Sequence, residues 1–181
     1  MVDNKFFSIE IAGCKRELPF CEVNKNLDIA AFIMFGDTEI TEKSAKKLLE
    51  ICPEFDILMT AESKGIPLCY EMAKQCGKKY VVARKSQKIY MKNSIYIEVK
   101  SITTAKKQKL YLSENDFLDI KNKKVLLVDD VISTGESLAA LEKLVEKAGG
   151  IIASRACVLA EGQSSERKDI IYLEKLPLFP K

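Results

Sequence analysis

The segment Val125–Ser137, VLLVDDVISTGES, constrains the fold more than any other part of the chain. Val125–Val128 is short, apolar and rich in β-branched side chains, the pattern of a strand covered on both faces. Asp129 and Asp130 stand where that strand should end. Ser133, Thr134, Gly135, Glu136 and Ser137 then form a small polar turn into the amphipathic run Glu136–Ala148. In an open α/β sheet, ligands bind outside the carboxyl ends of the strands. A small-residue turn at a helix N-terminus offers free N–H groups to a phosphate dianion. Carboxylates beside that phosphate would repel it, so they must be aimed at sugar hydroxyls or a metal ion. The segment therefore reads as a site for a phosphorylated sugar. Ser133-x-x-Glu136 is also a capping box, and the helix dipole favours an acid there, so an ordinary helix cap stays open beside the phosphate cradle.

The rest of the chain alternates strands and helices. Phe6–Ile11 reads as a strand, Lys15–Asn26 as irregular around Pro19, and Leu27–Phe35 and Glu42–Ile51 as helices, the second capped by Thr41. Phe55–Thr60 is a buried strand, followed by the turn Glu62–Gly65, the helix Ile66–Cys76 with Gly77 as its stop, and the strand Lys79–Ala83. Ile95–Ile102 and Gln108–Leu112 alternate as a two-stranded arm with Thr103–Lys107 as its tip. Ile151–Leu159 and Ile170–Leu173 complete the strands. This order implies an α/β fold with a mostly parallel central sheet flanked by helices, in one domain covering residues 1–181.

Composition removes several functions. The net charge of +3 gives no general bias toward nucleic acid, although Lys78–Lys109 holds ten Lys and Arg against Glu98 alone. That local excess suits a polyanionic small molecule. No apolar run approaches the ~20 residues needed to cross a bilayer, and Met1–Glu10 lacks a secretory pattern, so a cytoplasmic protein is expected. The six cysteines, at 14, 21, 52, 69, 76 and 157, form no C-x-x-C pair and read as free thiols. With no histidine, mixed zinc sites and the commonest general base are absent. Chemistry must run on carboxylates, cations, backbone dipoles or a bound metal.

Two further strand ends carry candidate residues. Glu62-Ser63-Lys64-Gly65 joins a buried strand to a helix, with Gly65 permitting a sharp turn and Pro67 suited to the first helical turn. Arg84-Lys85 follows the next strand, with Lys88 nearby. Each alone would pass for an ordinary loop or a solvated strand end.

Together these residues resemble the type I phosphoribosyltransferases. LVDDVISTGE matches that family's apolar run, acid pair and small-residue loop without a gap. The resemblance implies that Asp129 and Asp130 hold the ribose hydroxyls of 5-phosphoribosyl-1-pyrophosphate, and that Ser133–Ser137 holds its 5-phosphate. Glu62–Gly65 is similar to the family's pyrophosphate loop, with Lys64 as the cation and Glu62 orienting the loop or holding a metal-bound water. Arg84 and Lys85 would also face pyrophosphate. Catalysis would rest on Lys64, Arg84, Lys85 and Asp130, with Mg²⁺ bound alongside the substrate and Asp129 and Asp130 touching it indirectly. The arm, about residues 86–112, would be the family's flexible loop, with Thr103 and Thr104 over the sugar. Many adenine-specific relatives place a Glu in this arm, which here carries Glu98 alone. A small hood, about residues 1–26 with 160–181, would hold the base through Phe20, Val23 and Glu161, although Phe20 is equally suited to a core. A carboxylate at Glu161 suits an exocyclic amine better than an oxo group. The implied function is a purine phosphoribosyltransferase, most like the adenine enzymes, acting as a homodimer on phosphoribosyl pyrophosphate and a nucleobase without nucleic acid or membrane. Xanthine, hypoxanthine/guanine and orotate enzymes, and a non-catalytic sensor that binds phosphoribosyl pyrophosphate, are the alternatives. The closing LEKLPLF could pack on the hood or on a second subunit.

Overall fold

The structure is a computed structural model and describes residues 6–100 and 107–181. Three strands open the chain: β1 (Phe6–Ile11), β2 (Cys14–Asn24) and β3 (Leu27–Ala30). Then come α1 (Thr38–Ile51), β4 (Ile57–Ala61), α2 (Ile66–Cys76) and β5 (Tyr80–Ala83). The arm is β6 (Ile95–Lys100) with β7 (Lys107–Leu112), followed by α3 (Glu114–Ile120) and β8 (Lys124–Ile132). The chain closes with α4 (Glu136–Lys147), β9 (Ile151–Glu161), a 3₁₀ turn (Gly162–Glu166), β10 (Ile171–Leu176) and β11 (Phe179–Pro180).

The central sheet has the order β10-β9-β8-β4-β5, and every neighbouring pair is parallel. Its inner strands have no solvent face: β4 is buried at every residue, as are Val125–Val128 of β8. Alternate side chains therefore feed two cores. On one face Leu58, Leu126 and Val128 pack with Leu48 of α1, Leu68 and Met72 of α2, and Leu18 of β2. On the other, Met59, Val125 and Leu127 pack with Leu138, Leu141 and Leu144 of α4 and with Leu110 and Leu112 of the arm. From β4 the chain proceeds to β5 on one side, whereas β8 pairs on the other side of β4. The carboxyl ends of β4 and β8 thus flank a topological switch point, where open α/β sheets form their ligand crevice.

The N-terminal region departs from the sequence reading. Lys15–Asn26, expected to be irregular, lies mostly in β2, and Leu27–Phe35, expected to be helical, begins with β3. Asp28 is the one polar side chain from Leu27 to Phe35, so a helix there would have had no solvent face, and a uniformly apolar run does not separate helix from strand. Pairing decides: β1, β2, β3 and β11 form an antiparallel sheet in that order. Pro19 stands opposite Phe6 at the end of the β1–β2 ladder, and its carbonyl still accepts from the Ala31 N–H at 2.9 Å.

The cap of α1 is Asp37, not Thr41: its carboxylate accepts from the Ile40 N–H at 3.2 Å. The same carboxylate takes a two-point fork from Arg16 of β2, at 2.6 and 2.9 Å, which ties the small sheet to the main body and holds the Asp37 carboxyl below its ordinary range. Helix α3 was not expected at all, although Ser113 and Asp116 form a complete capping box. Among the described residues, no helix is long and apolar enough to cross a membrane.

Candidate functional site

Both carboxylates of the acid pair lie within β8 rather than after it, because β8 continues to pair with β9 as far as Ile132. Asp130 is 2% exposed, and Asp129 is half-buried with its Oδ1 accepting from the Asp130 N–H at 2.9 Å. Lys64 Nζ stands 3.3 Å from Asp130 Oδ2 without hydrogen-bond geometry, so that buried oxygen has no donor. A buried carboxylate oxygen without a donor is a costly state that a ligand would relieve.

Burial, and then the neighbouring Asp130 charge, push the Asp129 carboxyl up to about 8. Since an unfolded Asp titrates near about 3.9, the folded chain keeps a proton that the unfolded chain has released. Stability contributed by this group therefore falls as pH rises between those values. Thermal melts from pH 5 to pH 8 should show a decline for the wild type that is shallower in Asp129→Asn. Parallel profiles would contradict the assigned environment.

The loop after β4 lies directly on β8, and Gly65 makes that approach possible. A Cβ there would stand 2.4 Å from Thr60 Oγ1, 2.9 Å from Asp129 Oδ1 and 3.2 Å from Asp129 Cα. Gly65 has φ −73°, open to any residue, so it serves close packing and not the sharp turn expected from sequence. Pro67 sits in the first turn of α2 as expected.

Glu62 stitches the ends of β4 and β5 together. Its N–H donates to the Ala83 carbonyl at 2.9 Å, its Oε2 accepts from the Lys85 N–H at 3.0 Å, and its Oε1 pairs with Arg84 Nη2 at 3.3 Å. Arg84 is further fixed by two backbone hydrogen bonds to Tyr111 of β7, at 2.9 and 2.8 Å, while its buried Nε has no acceptor. The Lys85 side chain is exposed. Lys88 donates to Ser86 Oγ at 2.7 Å and is engaged within its own loop.

At the end of β8 the helix-cap alternative fails. The N-cap of α4 is Gly135, in the left-handed region at φ 78°, with no side-chain cap, and Ser133 is exposed. Thr134 Oγ1 reaches the Glu136 N–H only at 3.5 Å. The first-turn N–H groups of α4 have no intrahelical acceptors, so they are available to an anion. A cavity of about 50 Å³ is lined jointly by Asp129 and by the turn Ser133–Ser137. Asp129 and the small-residue turn therefore share one space.

The remaining candidates scatter. Glu161 ends β9 half-buried; burial raises its carboxyl, and the Lys64 charge opposes that shift. Gly162 beside it is packed by Leu178, so the closing segment leans on this wall. Phe20 has its ring edge against Phe179, 4.8 Å between centroids, and belongs to the packing of the small sheet, while Val23 is 54% exposed. The closing segment thus packs on the small antiparallel sheet. Thr103 and Thr104 lie outside the described residues. Sequence reasoning missed Tyr111, which positions Arg84 through its backbone and so carries no side-chain signal.

Among the described residues no three Asp, Glu or Cys side chains form a cluster able to hold a metal. Mg²⁺ is commonly held by one or two carboxylates together with substrate phosphates. The donor set of Asp129 and Asp130, with Oδ2 of Asp130 facing Lys64 but lacking a hydrogen-bond donor, fits a metal that arrives with a polyphosphate.

The family model described as phosphoribosyl transferase domain matches residues 36–176. A hypoxanthine/guanine phosphoribosyltransferase of Methanothermococcus okinawensis is 34% identical over 131 residues, covering 72% of this chain and 68% of its own. An adenine phosphoribosyltransferase of Petrotoga mobilis is 30% identical over 144 residues, covering 78% and 80%. Among solved structures, the Saccharomyces cerevisiae adenine phosphoribosyltransferase, in complex with adenine and an imino-altritol bisphosphate, superposes with a TM-score of 0.66 at 19% identity, covering 93% of this chain and 94% of that one. With a matched model spanning all three strand-end loops, this chain belongs to the phosphoribosyl transferase domain family.

Proposed function

We propose that the protein is a purine phosphoribosyltransferase with adenine as its preferred base, transferring the phosphoribosyl group of 5-phosphoribosyl-1-pyrophosphate to a ring nitrogen. The observation that carries this reading is the convergence of three loops at the switch point: an acid pair and an uncapped helix start at β8, Lys64 after β4, and Arg84 after β5. In this reading the first-turn N–H groups of α4 take the 5-phosphate, and Asp129 and Asp130 take the ribose hydroxyls. Lys64, Arg84 and Lys85 take the pyrophosphate.

The bond from the anomeric carbon to the pyrophosphate oxygen breaks as the base nitrogen attacks. Positive charge grows on the ring and negative charge on the leaving group. Asp130 stabilises the first, joined by Asp129 once the arriving cation has displaced its proton, and the three cations stabilise the second. Mg²⁺ bound with the substrate would neutralise phosphate charge. Substrate arrival must draw Lys64 from its post beside Asp130 toward the pyrophosphate, which frees the carboxylate for the sugar. No residue needs to act as a covalent nucleophile, so positioning supplies much of the rate.

Adenine is favoured by Glu161, since a carboxylate accepts from an exocyclic amine and opposes an oxo group. Relatives of both the adenine and the hypoxanthine/guanine type support the purine class. The test is incubation with phosphoribosyl pyrophosphate, Mg²⁺ and, in turn, adenine, hypoxanthine, guanine, xanthine and orotate. Pyrophosphate release fastest with adenine is expected. Release fastest with another base would move the assignment, and binding without release for any base would make the protein a sensor.

A further inference from the structure

Arg167 follows the 3₁₀ turn after β9, and neither the family resemblance nor the strand-end loops account for it. Its Nε and Nη2 donate to Asp169 Oδ1 and Oδ2 at 2.9 and 2.7 Å, a two-point fork that holds the guanidinium plane. Asp169 also lies 3.7 Å from Arg155 Nε, and Arg155 is bound by Glu142 of α4. The fork is thus braced against the same helix whose start forms the phosphate turn. Nη1, on the side of the guanidinium away from Nε, makes no hydrogen bond among the described residues. It rests against that turn: a Cβ on Gly135 would stand 2.8 Å from it.

A fixed cation at the positive end of a helix is opposed by the helix dipole, and an anion between them reverses the sign of that interaction. The strand feeding the turn sends Asp129 into the same cavity as the turn, while its buried Asp130 is held 3.3 Å from Lys64, away from the anion. We propose that Arg167 is a binding residue for the 5-phosphate, its Nη1 adding a charge-assisted hydrogen bond to those of the α4 N–H groups. Asp169 is its positioning residue. This rests on the proposed phosphoribosyl site and adds a side-chain cation to it.

The experiment titrates ribose 5-phosphate and, separately, pyrophosphate with Mg²⁺ into wild type, Arg167→Gln, Arg167→Lys and Asp169→Asn, with a thermal melt of each. Arg167→Gln should weaken ribose 5-phosphate binding about tenfold to a hundredfold, with pyrophosphate affinity and melting temperature unchanged. Arg167→Lys and Asp169→Asn should fall between it and the wild type. In turnover the KM for phosphoribosyl pyrophosphate should rise while kcat is kept. Equal loss for both ligands, or undiminished ribose 5-phosphate binding in Arg167→Gln, would overturn the assignment. Failure of the wild type itself to bind ribose 5-phosphate would instead overturn the proposed function, and Arg167's role with it.

Discussion

Asp130→Asn is expected to abolish useful binding of the phosphoribosyl group and to leave the fold standing. Asp130 is 2% exposed, and Asn fills the same volume, so packing is conserved. The amide replaces one acceptor with a donor in a cleft where the ribose hydroxyls need acceptors. Each charge-assisted hydrogen bond lost costs about 1.5–3 kcal/mol, so a drop in affinity of about a hundredfold is expected. The ion pair lost with the charge is to Lys64, a half-exposed side chain that water can solvate, so the melting temperature should change little. Titration calorimetry with ribose 5-phosphate, beside a thermal melt, reads both. Lys64→Ala should behave in the opposite way, keeping ribose 5-phosphate affinity because it frees Asp130, while slowing turnover about a hundredfold through loss of leaving-group stabilisation. Undiminished affinity in Asp130→Asn would remove the acid pair from the sugar site.

Gly65→Ala is expected to be the most damaging single-methyl change in the cleft. The added Cβ would fall 2.4 Å from Thr60 Oγ1 and 3.2 Å from the Asp129 backbone. Thr60 is fully buried, so neither neighbour is the loose end of a flexible side chain. The loop must lift from β8, carrying Lys64 and Glu62 with it. Overpacking of this kind costs about 1–3 kcal/mol of stability, and an ångström of misplacement costs about a hundredfold in rate. A second change, Thr60→Ala, removes the shortest contact and leaves the two to Asp129, so the double variant should recover part of both losses. Full activity in Gly65→Ala alone would show that the loop's seat on β8 does not matter to catalysis.

The part of the fold built from local patterns was legible. Helix α2 runs over Ile66–Cys76 as read from sequence, with Gly77 in the left-handed region at φ 68°, because apolar period, Pro67 and a glycine stop agree there. The strand order of the small sheet was not legible, because it comes from pairing between distant segments: Phe179 pairs with Asp28 and packs on Phe7 and Phe20. No local window holds that information. The capping signals show the same limit from two sides. Ser133-x-x-Glu136 spells a box that does not form, because the left-handed Gly135 starts the helix two residues later, while Ser113-x-x-Asp116 forms one that drew no notice. In the site, residue identities were readable but their couplings were not. That Glu62 grips both Arg84 and the Lys85 backbone follows only from β4 lying beside β5.

The central claim is that three strand-end loops form one site. It is tested most directly by amide chemical-shift mapping on addition of phosphoribosyl pyrophosphate with Mg²⁺. Shifts should appear together, with a single saturation curve, at Glu62–Gly65, at Arg84-Lys85 and at Asp129–Ser137. Shifts confined to Ser133–Ser137 would reveal an anion site at a helix start and nothing more, and would contradict the account.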